Sequence, residues 1–254
     1  MISRWARKFS SAQGFQVSQS PNRVMPWAYE SGMIIARGDS IMLTRFRHHP
    51  IVVLIVCTLT LAACHAEDTY ETEAARLAPL LNWQAGSVVA DIGAGDGEMT
   101  LEVAERVGSG GRVYSTEIDT KKLENLEKIA AGHQNITAVK AAPDTTNLPP
   151  GSCDSIVIRR VYHHFPKPSQ IDSSLFQTLK PGGMLAVIDF EPRQGLPKVR
   201  EDIPKNRGGH GVPQKMLIDE LTAAGFEVVS IPEKWTNDDY CVVFRKPRPK
   251  SSDK

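Results

Sequence analysis

The sequence predicts an α/β domain, a doubly wound and mostly parallel sheet of seven strands, over residues 70–246 of the 254. Three observations predict it. Val88–Ile92 is a short apolar run, broken only by Asp91, that leads into Gly93, Gly95 and Gly97, as a buried strand does when it ends in a tight turn. Beyond it, apolar residues alternate between short runs and helical spacing, and strands alternating with helices mean a parallel sheet covered on both faces, with right-handed crossovers. Proline and glycine punctuate the boundaries, with Pro168 and Pro213 opening helices and Gly225 closing one.

Composition leaves room for this fold and excludes other classes. With 41% hydrophobic and 23% charged residues the chain is neither fibrous nor disordered. A formal net charge of +1 provides no field that would draw nucleic acid. Cys57, Cys64, Cys153 and Cys241 are scattered, matching neither a disulfide framework nor paired zinc-ligand spacing, so no metal is expected. Cys153 and Cys241 fall in predicted strands, where burial is the expectation.

From the N-terminus, residues 1–41 show no hydrophobic periodicity and read as a disordered leader or an upstream start, with Met42 as the alternative first residue. Ile51–Ala63 is uncharged and follows Arg45 and Arg47, the pattern of an export signal that is too short for a spanning helix. Its end, Leu61-Ala62-Ala63-Cys64, resembles the lipobox of bacterial lipoproteins. That resemblance implies a signal over residues 42–64, a lipidated Cys64 and a periplasm-facing, membrane-anchored protein. An uncleaved signal anchor or a cytoplasmic protein is the alternative. Residues 65–69 are a polar linker, and 247–254 a basic tail.

Tyr70, Ala74, Leu77 and Leu81 place one apolar stripe on a first helix. After strand Val88–Ile92 come helix Glu98–Val107, strand Arg112–Glu117, helix Lys121–Ala131 and strand Ile136–Lys140. Ser155–Ile158 is the fourth strand. Ile171, Leu175 and Leu179 mark a helix from Pro168 that Pro181-Gly182-Gly183 is expected to end. Leu185–Ile188 is the fifth strand, Leu217 and Leu221 mark the last helix, and Phe226–Ile231 and Tyr240–Phe244 complete the sheet, the last strand antiparallel.

The glycine loop follows a strand and opens a helix, so it presents free N–H donors to a ligand. A dinucleotide fingerprint needs glycine at 98, where Glu98 would repel a pyrophosphate. The pattern is G-x-G-x-G with Asp91 two residues ahead, and Glu117 closes the second strand about twenty residues on. This resembles the first motif of class I S-adenosylmethionine-dependent methyltransferases. Leu148–Val157 and Leu179-Lys180-Pro181-Gly182-Gly183 are similar to the small-molecule branch that contains the ubiquinone and menaquinone enzymes.

The resemblance implies a Rossmann-like methyltransferase fold with S-adenosylmethionine as cofactor. It implies that Asp91, Gly93, Ala94, Gly95 and Gly97 hold the methionine part and that Glu117 holds the ribose. Ile118 would flank the adenine and Asp144 would meet its amino group. Pro143 and Thr145 depart from the family's usual glycine and alanine beside that aspartate, so a turn-forming Asp144 is the alternative.

Methyl transfer from a sulfonium is an in-line displacement, helped by holding the acceptor at near-attack distance. The acceptor side follows the fourth strand, Arg159-Arg160-Val161-Tyr162-His163-His164-Phe165. His163 or His164 is the candidate base or orienting group, with packing against the next helix as the alternative. Arg160 and Tyr162 are expected to line the same pocket, Arg160 at its cofactor end. His210 lies in a glycine-rich loop that could cover the acceptor or remain solvated. No Asn/Asp-Pro-Pro-aromatic motif follows the fourth strand, and the cysteine set of arsenite methyltransferases is lacking, which leaves a small organic acceptor. Two rival functions are a methyltransferase-like binding lipoprotein without catalysis and a nicotinamide oxidoreductase. The oligomeric state is left open.

Overall fold

The computed structural model describes residues 70–193 and 210–249. The expected signal, lipobox and leader lie outside the described residues, as do 194–209. The elements run α1 (Tyr70–Leu80), β1 (Val88–Ile92), α2 (Glu98–Val107), β2 (Arg112–Glu117), α3 (Thr120–Gly132), β3 (Ile136–Lys140) and β4 (Cys153–Arg159). A 3-10 turn (Tyr162–His164) leads to α4 (Pro168–Thr178), β5 (Leu179–Phe190), α5 (Gln214–Ala223), β6 (Glu227–Ser230) and β7 (Asp239–Arg245). The sheet order is β3-β2-β1-β4-β5-β7-β6. All pairs from β3 to β5 are parallel, and β7 is antiparallel to both β5 and β6.

The period of two along the central strands sorts the core into two layers. Ile156, Ile158, Leu185 and Val187 face Ile171 and Leu175 of α4 and Leu217 and Leu221 of α5. Val157, Ala186 and Ile188 face the other way, toward Ala74 and Leu77 of α1 and Met99 and Val103 of α2. Cys153 and Cys241 are buried free thiols, and burial pushes the Cys153 thiol up to about 11.

The largest departure from the sequence expectation is at the end of α4. Pro181-Gly182-Gly183 does not end the helix; α4 stops at Thr178, and Leu179 is already extended and paired with Cys153. The next pair is Ser155 with Met184, so residues 180–183 bulge out of β5 opposite Asp154. Glycine is required there: Gly182 has φ +83, and a Cβ on Gly183 would stand 3.0 Å from the Asp154 carbonyl oxygen. The bulge stays tied to the sheet through Gly182 N–H to Lys246 O at 2.8 Å and Lys246 N–H to Gly183 O at 2.9 Å.

Candidate active site

β1 and β2 end side by side, with Ile92 paired to Thr116, so their tips carry the glycine loop and Glu117 to one edge. The Gly93 and Ala94 N–H groups both donate to Thr116 O, at 3.0 and 2.9 Å. Gly93, Gly95 and Gly97 all have positive φ, and Gly97 lies in the left-handed region directly before α2. The loop therefore turns back over β2 and opens the helix within five residues.

Glu117 pins this arrangement. Its Oε2 accepts the Gly95 N–H at 3.0 Å, while Oε1 accepts the N–H groups of Ile118 and Asp119 at 2.7 and 3.0 Å. A carboxylate offers about four lone-pair positions, so about one remains for a ligand hydroxyl. Asp91 lies deeper, 2% exposed, and accepts from Thr100 Oγ1 at 2.7 Å. Burial pushes its carboxyl up to about 6, against the opposing effects of the Thr100 bond and the Arg159 charge.

Two clefts share Gly93, Gly95, Lys122, Arg160 and Val161. The larger, of about 330 Å³, runs from Glu117 and Ile118 past Ala142 and Pro143 to His164 and Phe165. The smaller, of about 200 Å³, carries charges of both signs: Asp91, Asp96 and Glu98 on one side of the ledger, Lys122, Arg159 and Arg160 on the other. Arg159 is paired with Glu73, and Arg160 forks onto Asp239 with contacts of 2.7 and 3.1 Å. Those contacts, chiefly the hydrogen bond, hold the Arg160 guanidinium above its ordinary range. Glu98 stands where a pyrophosphate would meet repulsion, and the mixed charges suit the ammonium and carboxylate of an amino acid.

The turn after β4 distributes its side chains in different directions. Arg160 has φ +53, a conformation L-residues seldom adopt, and it reverses the chain into the 3-10 turn. Arg160, Val161 and His164 line the larger cleft. Tyr162 departs from the expectation that it lines the pocket. Its ring is fully buried in the core, and its hydroxyl lies 3.0 Å from Asp172 Oδ1 and from Glu220 Oε2, so this residue joins the turn to α4 and α5.

His163 is buried against β5, its Nδ1 at 2.8 Å from Asp189 Oδ1. Its ring centroid lies 4.0 Å from that of His164 and 5.2 Å from that of His210. Burial and the adjacent His163 and Arg193 hold His210 below its ordinary pKa. Asp144 is engaged by Lys167 Nζ at 2.9 Å, and its neighbours Pro143 and Thr145 line the cleft. Among the described residues, no group of three or more His, Cys, Asp or Glu side chains is arranged to hold a metal, and no helix is long and apolar enough to cross a membrane.

Sequence reasoning did not single out Lys122, Val161 or Asp189's grip on His163. Lys122 lies in the first turn of α3, where nothing in the local pattern sets it apart from its neighbour Lys121. Val161 packs where a Cβ on Gly93 would sit, 2.7 Å from both of its methyl carbons, a contact between segments remote in sequence.

Residues 90–187 match the family described as "Methyltransferase domain", a span that begins inside β1 and ends inside β5. The ubiquinone/menaquinone biosynthesis C-methyltransferase UbiE of Marinomonas sp. is 31% identical over 110 residues, 42% of this chain and 44% of that protein. Its counterpart from Cronobacter sakazakii is 27% identical over 172 residues, 57% of this chain and 68% of that protein. The chain thus spans less than half the length of the first of these relatives. A solved S-adenosylmethionine-dependent methyltransferase from Aquifex aeolicus shares the fold, with a TM-score of 0.55 and 19% identity over 68% of this chain and 87% of that one. Glycine loop, acidic strand tip, sheet order and family match converge: residues 90–187 match a methyltransferase domain, within a fold shared with solved S-adenosylmethionine-dependent methyltransferases.

Proposed function

We propose that this protein transfers a methyl group from S-adenosylmethionine to a small organic acceptor. The observation that carries the reading is the 3.0 Å hydrogen bond from Gly95 N–H to Glu117 Oε2, which fuses the loop and the acidic strand tip into one seat. In this reading Glu117 accepts one ribose hydroxyl through its remaining lone pair, and Ile118 and Pro143 enclose the adenine. The cleft of mixed charge takes the amino-acid end, with Lys122 facing its carboxylate and Asp91 and Glu98 on the ammonium side. When bound, the cofactor supplies a methyl group on a positively charged sulphur. Val161, His164 and Phe165 close the opposite wall of the larger cleft and hold the acceptor in line. A small acceptor fits the cleft size, since ligand sites commonly measure ~300 to 1,000 Å³, and the curated relatives are named for small-molecule biosynthesis.

Calorimetric titration of the full chain with S-adenosylhomocysteine tests the cofactor assignment. Hydrogen bonds to charged groups contribute about 1.5–3 kcal/mol each. Glu117→Ala should therefore weaken binding at least tenfold through the lost hydroxyl contact and the released Gly95 amide, and unchanged affinity would remove the ribose assignment. Anchoring by a lipidated Cys64 belongs to the same proposal. It is checked by mass spectrometry of the mature protein, and an unmodified chain retaining residues before Cys64 would refute it.

A further inference from the structure

We infer that Arg160 selects the acceptor, and that this acceptor is a carboxylic acid with an apolar body, its carboxylate seated on the edge of the guanidinium that Asp239 leaves open. This rests on the methyltransferase reading above and names the chemical class of its acceptor.

Arginine is an unexpected choice for this turn. With φ at +53, position 160 would be occupied with less strain by glycine or asparagine, so the backbone gains nothing from arginine and the side chain is what the position is used for. The Arg160 N–H is tied to Ile188 O at 2.7 Å, which fixes the reversal against β5. From there the side chain crosses the end of β5 to reach β7, where Nε and Nη2 donate to Asp239 Oδ2 and Oδ1 at 2.7 and 3.1 Å. The Asp239 side chain is fully buried, while that of Arg160 stays 35% exposed. A buried carboxylate gripping one edge of a planar guanidinium orients the whole plane. Nη1 and the second hydrogen of Nη2 are left without a hydrogen-bond partner among the described residues. They form the kind of fork that receives both oxygens of a carboxylate, and Arg160 lines both clefts in the stretch that they share.

The charges around the larger cleft call for an anion. Among the described residues, Glu117 is the carboxylate that lines it, and its oxygens already accept from the Gly95, Ile118 and Asp119 N–H groups. Lys122 and Arg160 line the same cleft as cations. The cofactor's own carboxylate answers Lys122, and Arg159 is held by Glu73, so Arg160 keeps its open edge for a second anion. A bound sulfonium adds positive charge to this space, which favours an anionic acceptor over an ammonium. The walls set the rest of the acceptor. Val161, Phe165, Pro166 and Ile171 line the larger cleft beside Arg160 and offer apolar surface to a hydrocarbon or aromatic body. An acid of this kind places its body on that wall and its carboxylate on the guanidinium, so one end is fixed while the other is presented to the methyl group.

The test titrates benzoate and its neutral isostere benzamide into the S-adenosylhomocysteine complex of the full chain by calorimetry. Benzoate should bind, and benzamide should bind about tenfold more weakly or less, because a charge-assisted fork is lost. Arg160→Gln should weaken benzoate by a similar factor and abolish the preference for it over benzamide, while S-adenosylhomocysteine affinity stays within about twofold. Should Arg160→Gln fail to fold because Asp239 is left buried and unpaired, Arg160→Gln combined with Asp239→Asn removes both charges and takes its place. An Arg160–Asp239 pair that merely braces β4 against β7 predicts equal binding of the two probes. That result, no benzoate binding, or benzoate binding that survives Arg160→Gln overturns the inference. So does a matching loss of S-adenosylhomocysteine in Arg160→Gln, which would give the guanidinium to the cofactor. Failure of S-adenosylhomocysteine to bind the wild type would instead overturn the methyltransferase reading, with the preference for benzoate still measurable on the free chain.

Discussion

Asp91 is a carboxyl group held away from water, and its cost has a pH signature. The folded value of about 6 lies above the unfolded 3.8, so the folded chain keeps this proton to higher pH. The group's contribution to stability is therefore complete below pH 3.8, falls as pH rises toward 6 and is constant above. A shift of two units corresponds to about 3 kcal/mol. Asp91→Asn keeps an acceptor for Thr100 and removes the ionisation, so urea unfolding at pH 7.5 should show a gain of about 1–3 kcal/mol that disappears at pH 4. The same variant should bind S-adenosylhomocysteine less well, because the carboxylate facing the amino-acid end is gone. The meeting of Gly95 with Glu117 was to be expected from the family resemblance, because loop and strand tip are each continuous stretches that can be matched one by one. The directions of Tyr162, His163 and His164 were not. They depend on the left-handed Arg160, which decides which of three consecutive rings enters the core, and nothing in an Arg-Val-Tyr-His-His run announces it.

At the level of elements, the loop after β1 and the turn after β4 share one volume. Gly93 gives up its side-chain space to Val161, and its φ of +72 excludes most other residues. Gly93→Ala should therefore destabilise the domain by about 1–3 kcal/mol in urea titration, through strain and the clash together. Adding Val161→Ala should recover the part due to the clash and leave the part due to strain. Full recovery, or none, would show the two segments to be independent. Strand and helix positions were readable because apolar spacing reports burial directly, and β1, α2, β2 and β3 occupy the residues expected. The bulge at Pro181-Gly182-Gly183 was not, since helix termination and a strand bulge draw on the same residues and only pairing with Asp154 and Lys246 separates them.

Across the whole molecule, α1 is joined to the distal end of the sheet by one buried carboxylate. Glu73 accepts from Trp235 Nε1 at 2.8 Å and Thr236 Oγ1 at 3.3 Å and is ion-paired with Arg159, so helix, β4 tip and the approach to β7 meet at a single side chain. Removing one member of a largely buried pair costs about 3–5 kcal/mol, and Glu73→Ala should lower the thermal midpoint accordingly. Glu73→Gln should lose less, because the amide still accepts from Trp235. The doubly wound layering was legible from alternation alone, whereas this long-range tie was not, since its partners are separated by as many as 163 positions. The place of β7 between β5 and β6 has a consequence for synthesis. A nascent chain that has emerged only through Ser230 has five strands in register and nothing for the sixth to dock on, since β6 pairs only with β7. The β5 edge stays open until Arg245 has left the ribosome, which makes stalled or truncated chains the natural clients of chaperones that shield unpaired strands.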